Sequence, residues 1–195
     1  MLSQASVVLK VRATRTCSGN PNAIHRRMHV LMVIAPQEFR DEEYRAPMTA
    51  LEKAGHRVTI ASTRAGPCVS SAGRTVDATL AVSAAHAADY AAVVFVGGSG
   101  ASCFFDDPAA HRLAREVREQ GGVVAAICIA PTILARAGVL AELEATSFPS
   151  ERAELMRAGA HVLDEPVVAA GHVITANGPR AADAFGARLV AALGR

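Results

Sequence analysis

Residues 123–135 read VVAAICIAPTILA. Five apolar residues, Val123 to Ile127, run into a cysteine, and Pro131 stands three residues beyond it. An unbroken apolar run of this kind suits a strand buried on both faces. A proline, with no N–H to offer, suits the first turn of a helix. The stretch therefore predicts a strand that turns sharply into a helix, with Cys128 on the turn.

Working outward, the same alternation recurs. HVLMVIA (29–35), RVTIAST (57–63) and AAVVFVGG (91–98) read as further strands. DEEYRAPMTALEKAG follows the first of them, with Tyr44, Met48 and Leu51 on one helical stripe and Gly55 placed to end it. DPAAHRLAREVREQGG (107–122) and PRAADAFGARLVAAL (179–193) read as helices opening on proline, and SERAELMRAGA (150–160) as a short one. Residues 64–76 read as a short hairpin, and 167–178 as two strands around a turn at Gly171. Buried strands alternating with amphipathic helices predict a mainly parallel sheet covered on both faces, an α/β sandwich in one domain over 29–195.

Composition fits that reading. At 195 residues, 51% hydrophobic and 19% charged, the chain can build one sizeable core. No apolar run reaches the roughly 20 residues of a membrane span, so no membrane partner is expected. The net charge is +2, but residues 1–28 carry five basic residues and no acid; removing those five charges leaves −3 for the rest. A slightly acidic body gives no support to nucleic-acid binding. The segment 1–28 reads as a poorly ordered leader. It is either a transit-like peptide or translation from a start upstream of Met28, and the second reading is favoured. Cys17, Cys68, Cys103 and Cys128 form no CxxC pair and no zinc-like spacing with histidine, so reduced thiols in a cytoplasmic protein are expected, with no metal and no cofactor.

Two features fall where ligands bind in such folds, beyond the carboxyl ends of the strands: Gly97-Gly98 and Cys128. A nucleophile on a sharp turn needs small residues two positions before and after it, since these face each other across the bend. Ala126 and Ala130 meet that need. A helix N-terminus would lower the pKa of such a thiol. Packing is the other reading, since free cysteine is among the most buried residue types. Composition alone favours packing, and the small–Cys–small pattern reverses that preference. The backbone N–H groups of Ile129 and Gly98 are candidate donors to a developing oxyanion. A plain tight turn is the other reading of the two glycines.

The segments EFRDEEYRAP, EKAGHRVTIAST, VVFVGGSG, AAICIAPTILARAGVL and ITANGP, in this order, resemble the ThiJ/PfpI superfamily, which includes the parkinsonism-associated deglycase and the archaeal PfpI proteases. The resemblance runs from about His29 to Leu193. It implies a flavodoxin-like three-layer sandwich, a cysteine nucleophile elbow and a homodimer. It maps the catalytic cysteine onto Cys128 and the oxyanion donors onto Gly98 and Ile129. It maps the carboxylic acid that serves the thiolate onto Glu43, four residues before Pro47, with Asp41 and Glu42 adjacent. The chain departs from the family at three places. Ile129 stands where PfpI-type members have histidine, Phe148 where deglycase-type members often have one, and Arg40 where another acid is usual.

Three functions compete. The first is a cofactor-independent enzyme acting on a small reactive carbonyl or glycated substrate, of glyoxalase or deglycase type, in stress protection. The second is a cysteine hydrolase, protease or amidase; the missing histidines count against it, and no H-x-E pair of the glutamine-amidotransferase kind occurs. The third is a non-enzymatic thiol redox sensor or stress protein.

Overall fold

In the computed structural model, which describes residues 27–194, VVAAI forms a strand whose five residues are all buried. Burial of every residue along a strand means that both faces of its sheet are covered. The elements in chain order are β1 (His29–Val33), β2 (Gln37–Phe39), α1 (Asp41–Lys53), β3 (Arg57–Ser62), β4 (Gly66–Ser70), β5 (Thr75–Ala78) and β6 (Leu80–Ala81). They continue with β7 (Ala92–Phe95), α2 (Pro108–Glu119), β8 (Val123–Ile127), α3 (Pro131–Arg136), β9 (Glu144–Ala145) and α4 (Arg152–Arg157). Last come β10 (His161–Val162), β11 (Val167–Ala170), β12 (Val173–Ala176) and α5 (Ala182–Leu193).

The main sheet has seven strands in the order β11-β12-β8-β7-β1-β3-β6. All its pairings are parallel except β11 with β12, which are joined by the turn at Gly171 with φ +61°. Helices α1 and α5 pack together over the sheet, and α2 packs with α3 over it. Like β8, strands β7 and β12 are buried at every position. The mainly parallel α/β sandwich expected from the alternation is therefore what forms. A second sheet, β2-β4-β5, contains the expected hairpin. Among the described residues no helix is long and apolar enough to cross a membrane.

One reading needs correction. The buried stripe of α1 is Glu43, Pro47 and Leu51, with Asp41 beside it, whereas Tyr44 and Met48 are only partly covered. A stripe drawn through apolar residues alone misses a glutamate that faces inward. Cys68 pairs with Val76 in the hairpin expected over 64–76, and its side chain is buried. The leader assigned to residues 1–28 falls outside the described residues except at its end. There Met28 packs against the core and its carbonyl accepts the Arg57 N–H at 2.8 Å.

Candidate active site

Strand β8 ends at Ile127, and α3 begins at Pro131. Cys128 makes the turn between them with φ +67°, one of three non-glycine residues at positive φ among those described. That left-handed backbone is sparsely used by side-chain-bearing residues and is found at constrained sites. The turn is pinned on both sides. Cys128 N–H donates to the Ala176 carbonyl at 2.9 Å, and its own carbonyl accepts the Phe148 N–H at 2.8 Å. Ala126 and Ala130 are both fully buried, as small residues flanking a tight bend must be. Cys128 itself keeps 8% exposure.

The three neighbouring acids of α1 separate cleanly. Asp41 is held by Arg74 at 2.6 Å and by Arg45 at 3.6 Å. Glu42 lies outside, paired with Arg40 at 2.9 Å. Glu43 turns inward with no solvent exposure and acts on the Cys128 thiol. Counting back from Pro47 thus selects the one acid of the three that reaches Cys128.

Gly97 makes that approach possible. A Cβ on Gly97 would lie 2.4 Å from Glu43 Oε2, 2.6 Å from Cys128 Cβ and 2.7 Å from the Ile127 carbonyl. Any side chain there would push the acid and the thiol apart. The next glycines serve close approach of another kind. A Cβ on Gly98, at φ +99°, would lie 2.3 Å from the Glu38 carbonyl, and one on Gly100 would lie 1.8 Å from the Gln37 carbonyl. The GGSG run therefore lies tightly against β2, and the Arg40 N–H donates to the Gly97 carbonyl at 3.0 Å. Local sequence reasoning could name these glycines but not what they touch.

The electrostatics follow from burial. Neither Glu43 oxygen meets a donor at full hydrogen-bond geometry. Sealing the carboxyl from water pushes its pKa up to about 7. The Cys128 thiol, the Arg40 charge and the Gly97 N–H pull the other way without reversing this. Cys128 does not match the expected low-pKa thiol. Burial first, then the charge and hydrogen bonding of the Glu43 carboxylate, push it up to about 12. The Gly98 and Ile129 N–H groups favour its charge. Helix α3 has only six residues, too short for a strong dipole to offset burial.

Among the described residues no histidine acts on the Cys128 thiol. His29 bonds Thr59 at 2.8 Å at the start of β1, and the His172 ring donates from Nδ1 to the Gly121 carbonyl next to the start of β8, both at the end of the sheet away from Cys128. His111 bonds the Phe105 carbonyl at 2.8 Å. A groove of about 520 Å³ between α1 and α5, lined by Arg45, Thr49, Ala50, Asp183 and Ala187 among others, has neither Cys128 nor Glu43 on its wall.

A parallel sheet between helical layers, with a cysteine in left-handed backbone at the end of a central strand, defines a flavodoxin-like α/β protein with a thiol-centred candidate site. Residues 28–192 match the DJ-1/PfpI family, and the chain belongs to it. It is 39% identical over 183 residues to an uncharacterized protein of Methanocaldococcus jannaschii, covering 91% of this chain and 89% of that one. It is 30% identical over 149 residues to a deglycase of Pyrococcus abyssi, covering 76% and 90%. The crystal structure of a ThiJ/PfpI domain protein from Brachyspira murdochii matches with a TM-score of 0.83 at 32% identity, covering 85% of this chain and 95% of that one.

Proposed function

We propose that the protein is a cofactor-independent cysteine enzyme acting on small reactive carbonyls, of glyoxalase or deglycase type. Cys128 is its nucleophile, Glu43 its proton carrier, and the Gly98 and Ile129 N–H groups its oxyanion donors. The observation that carries this reading is the sealed Glu43 carboxyl against the Cys128 thiol, with its pKa raised to about 7. A group titrating near neutrality can both give and take a proton in one cycle. Relatives named deglycase support the substrate class.

For an α-oxoaldehyde the steps balance without an external oxidant. The Cys128 sulfur adds to the aldehyde carbon, and the proton from the thiol ends on the oxygen, giving a hemithioacetal. Glu43 removes the proton from that carbon and returns it to the neighbouring one, and the hydroxyl proton passes to the neighbouring oxygen, so the former aldehyde carbon is oxidised to a thioester while the ketone is reduced to an alcohol. Water cleaves the thioester, releasing a 2-hydroxy acid and restoring the thiol. No imidazole is required, which suits Ile129 and Phe148 at the positions where relatives carry histidine. A protease or amidase reading shares the nucleophile but lacks a histidine to protonate a departing amine. A thiol-sensor reading needs no proton carrier at all.

The test is a substrate screen with α-oxoaldehydes, glycated amines, peptides and simple amides, using Cys128→Ser as control. Turnover of α-oxoaldehydes or glycated amines that vanishes in Cys128→Ser is expected. Turnover of peptides or amides alone would replace this reading by the hydrolase one, and no turnover at all would leave the sensor reading.

A further inference from the structure

Phe148 is one of two large hydrophobic residues exposed among those described; it keeps 41% exposure, and the other, Met156, lies on α4. An isolated exposed apolar side chain needs no explanation by itself. Phe148 differs in that its backbone is bonded to that of Cys128. Its N–H donates to the Cys128 carbonyl at 2.8 Å, and its carbonyl accepts the Glu151 N–H at 3.0 Å. The Glu151 carboxylate in turn accepts the Thr132 hydroxyl at 2.9 Å, tying the segment to α3, the helix that follows Cys128. Pro149 restricts the Phe148 backbone to the extended form it adopts, φ −57° and ψ 144°. One edge of the ring rests over Gly178, where an added Cβ would come within 3.5 Å of Phe148 Cδ2. Gly178 lies two residues beyond Ala176, whose carbonyl holds the Cys128 N–H. The ring thus lies beside Gly178, just past the end of β12, on a segment whose backbone is bonded to the Cys128 turn, and it remains open to solvent. The partly buried Ile129 side chain adds apolar surface on the same turn.

We propose that Phe148, fixed by its backbone to Cys128 and resting on Gly178, is the wall against which the substrate's carbon substituent lies, so that the site favours carbonyl compounds with an aromatic or bulky apolar substituent over those with a methyl group. The substrate class rests on the carbonyl reading above; the wall itself does not. An aromatic contact of this kind changes relative rates by about three- to tenfold. The fixed backbone means that the preference is built in before substrate arrives.

Two measurements separate the wall from the reaction. The first is alkylation of Cys128 by phenacyl chloride and by chloroacetone, in which sulfur forms a bond to carbon and chloride leaves. Each rate is divided by that of free cysteine, and Cys128→Ser identifies the site. The normalised phenacyl-to-acetonyl ratio is expected to exceed one in the wild type. It should fall about three- to tenfold in Phe148→Ala, fall less in Phe148→Leu, and hold in Met156→Ala. The second is kcat/KM for phenylglyoxal relative to methylglyoxal, which should fall by a similar factor in Phe148→Ala. An exposed side chain is removed without a cavity, and thermal unfolding of the variants checks that the fold is kept. An alkylation ratio unchanged in Phe148→Ala overturns the wall. A ratio that falls while neither dicarbonyl is turned over keeps the wall and overturns the carbonyl reading. Turnover of both dicarbonyls with neither ratio moved overturns the wall and keeps the carbonyl reading.

Discussion

Cys128 and Glu43 are best treated as one titrating unit. Two groups that interact this closely lose their protons in steps that belong to the pair. With both groups protonated the pair is neutral; the first proton leaves at about 7 and the second at about 12. Between those values one proton is shared, either on sulfur with a carboxylate opposite or on carboxyl with a thiolate opposite. In the proposed reaction the attacking thiolate is therefore reached by moving a proton from Cys128 to Glu43, with no change in net charge. Alkylation of Cys128 should rise through about pH 7 and then level off. In Glu43→Gln the step at 7 should vanish, and the thiol should titrate below its value of about 12, because the facing carboxylate is gone. Turnover should nevertheless fall by about 10²- to 10⁴-fold, since an amide cannot carry the proton. A thiol titration unchanged in Glu43→Gln would show that the two groups do not communicate. Cys68, buried in its hairpin, should label slowly in the native protein. Cys103 is exposed but pushed up to about 11 by burial of its sulfur and by the Asp107 charge.

The same carboxyl makes stability depend on pH. Its pKa is raised from 4.5 to about 7 on folding, so the folded chain binds more protons between those values. Stability linked to Glu43 is full below about 4.5 and is lost as pH rises through 7, a loss on the order of 3 kcal/mol. Glu43→Gln has no charge to bury. Its melting temperature relative to wild type should rise between about pH 5 and pH 8, read by calorimetry. A difference that stays flat with pH would mean the carboxyl is already neutralised in another way. Gly97→Ala probes the packing side of the pair. Its Cβ would sit 2.4 Å from Glu43 Oε2, so about 1–3 kcal/mol of stability should be lost together with activity, measured by denaturant unfolding and turnover.

At the scale of elements, α2 gives a clean test of local rules. Asp107 caps it by accepting the Ala109 and Ala110 N–H groups at 2.7 and 3.1 Å, and Pro108 follows at the first helical position. Asp107→Ala should lower unfolding free energy by about 1 kcal/mol and leave the Cys128 pH profile in place. A shifted profile would mean that α2 communicates with the thiol. Elements of this kind were legible in the sequence because their signals are local. β1, β7 and β8 are continuous apolar runs, and the β11–β12 hairpin has its glycine at the turn. Strands β6, β9 and β10, at two residues each, are too short to carry any period. The apolar stripe misplaces the inward face of α1 because a buried Glu43 carries no apolar signal; only the family resemblance points it at the thiol. Gly97 and Gly98 read as an oxyanion donor or a plain turn, while what requires glycine at 98 is β2 lying against it, a tertiary fact with no local trace. The place of Cys128 on the turn between β8 and α3 was readable from Ala126, Ala130 and Pro131. Its protonation was not, because burial and a facing carboxylate outweigh a six-residue helix.

At the scale of the whole molecule, the resemblance to ThiJ/PfpI proteins leads to the proposal of a homodimer, and the charge balance says how its association should respond to salt. Outside the first 28 residues the chain sums to −3, so two copies meet with little mutual repulsion. Only Phe148 and Met156 are exposed large hydrophobics among the described residues, so no broad Leu- or Phe-rich face is on offer. A pairing surface must then be built from smaller side chains and well-matched shapes, and its affinity will depend on complementarity rather than on apolar area. Sedimentation at micromolar concentration should give a dimer whose fraction changes little with ionic strength, because charges separated by more than about 10 Å are already screened at 0.1 M salt. A clean monomer at that concentration would overturn the dimer. A dimer that dissolves as salt rises would show instead that ion pairs join the copies. In that case the exposed arginines paired with acids on α1, Arg40 and Arg45, are the first to replace.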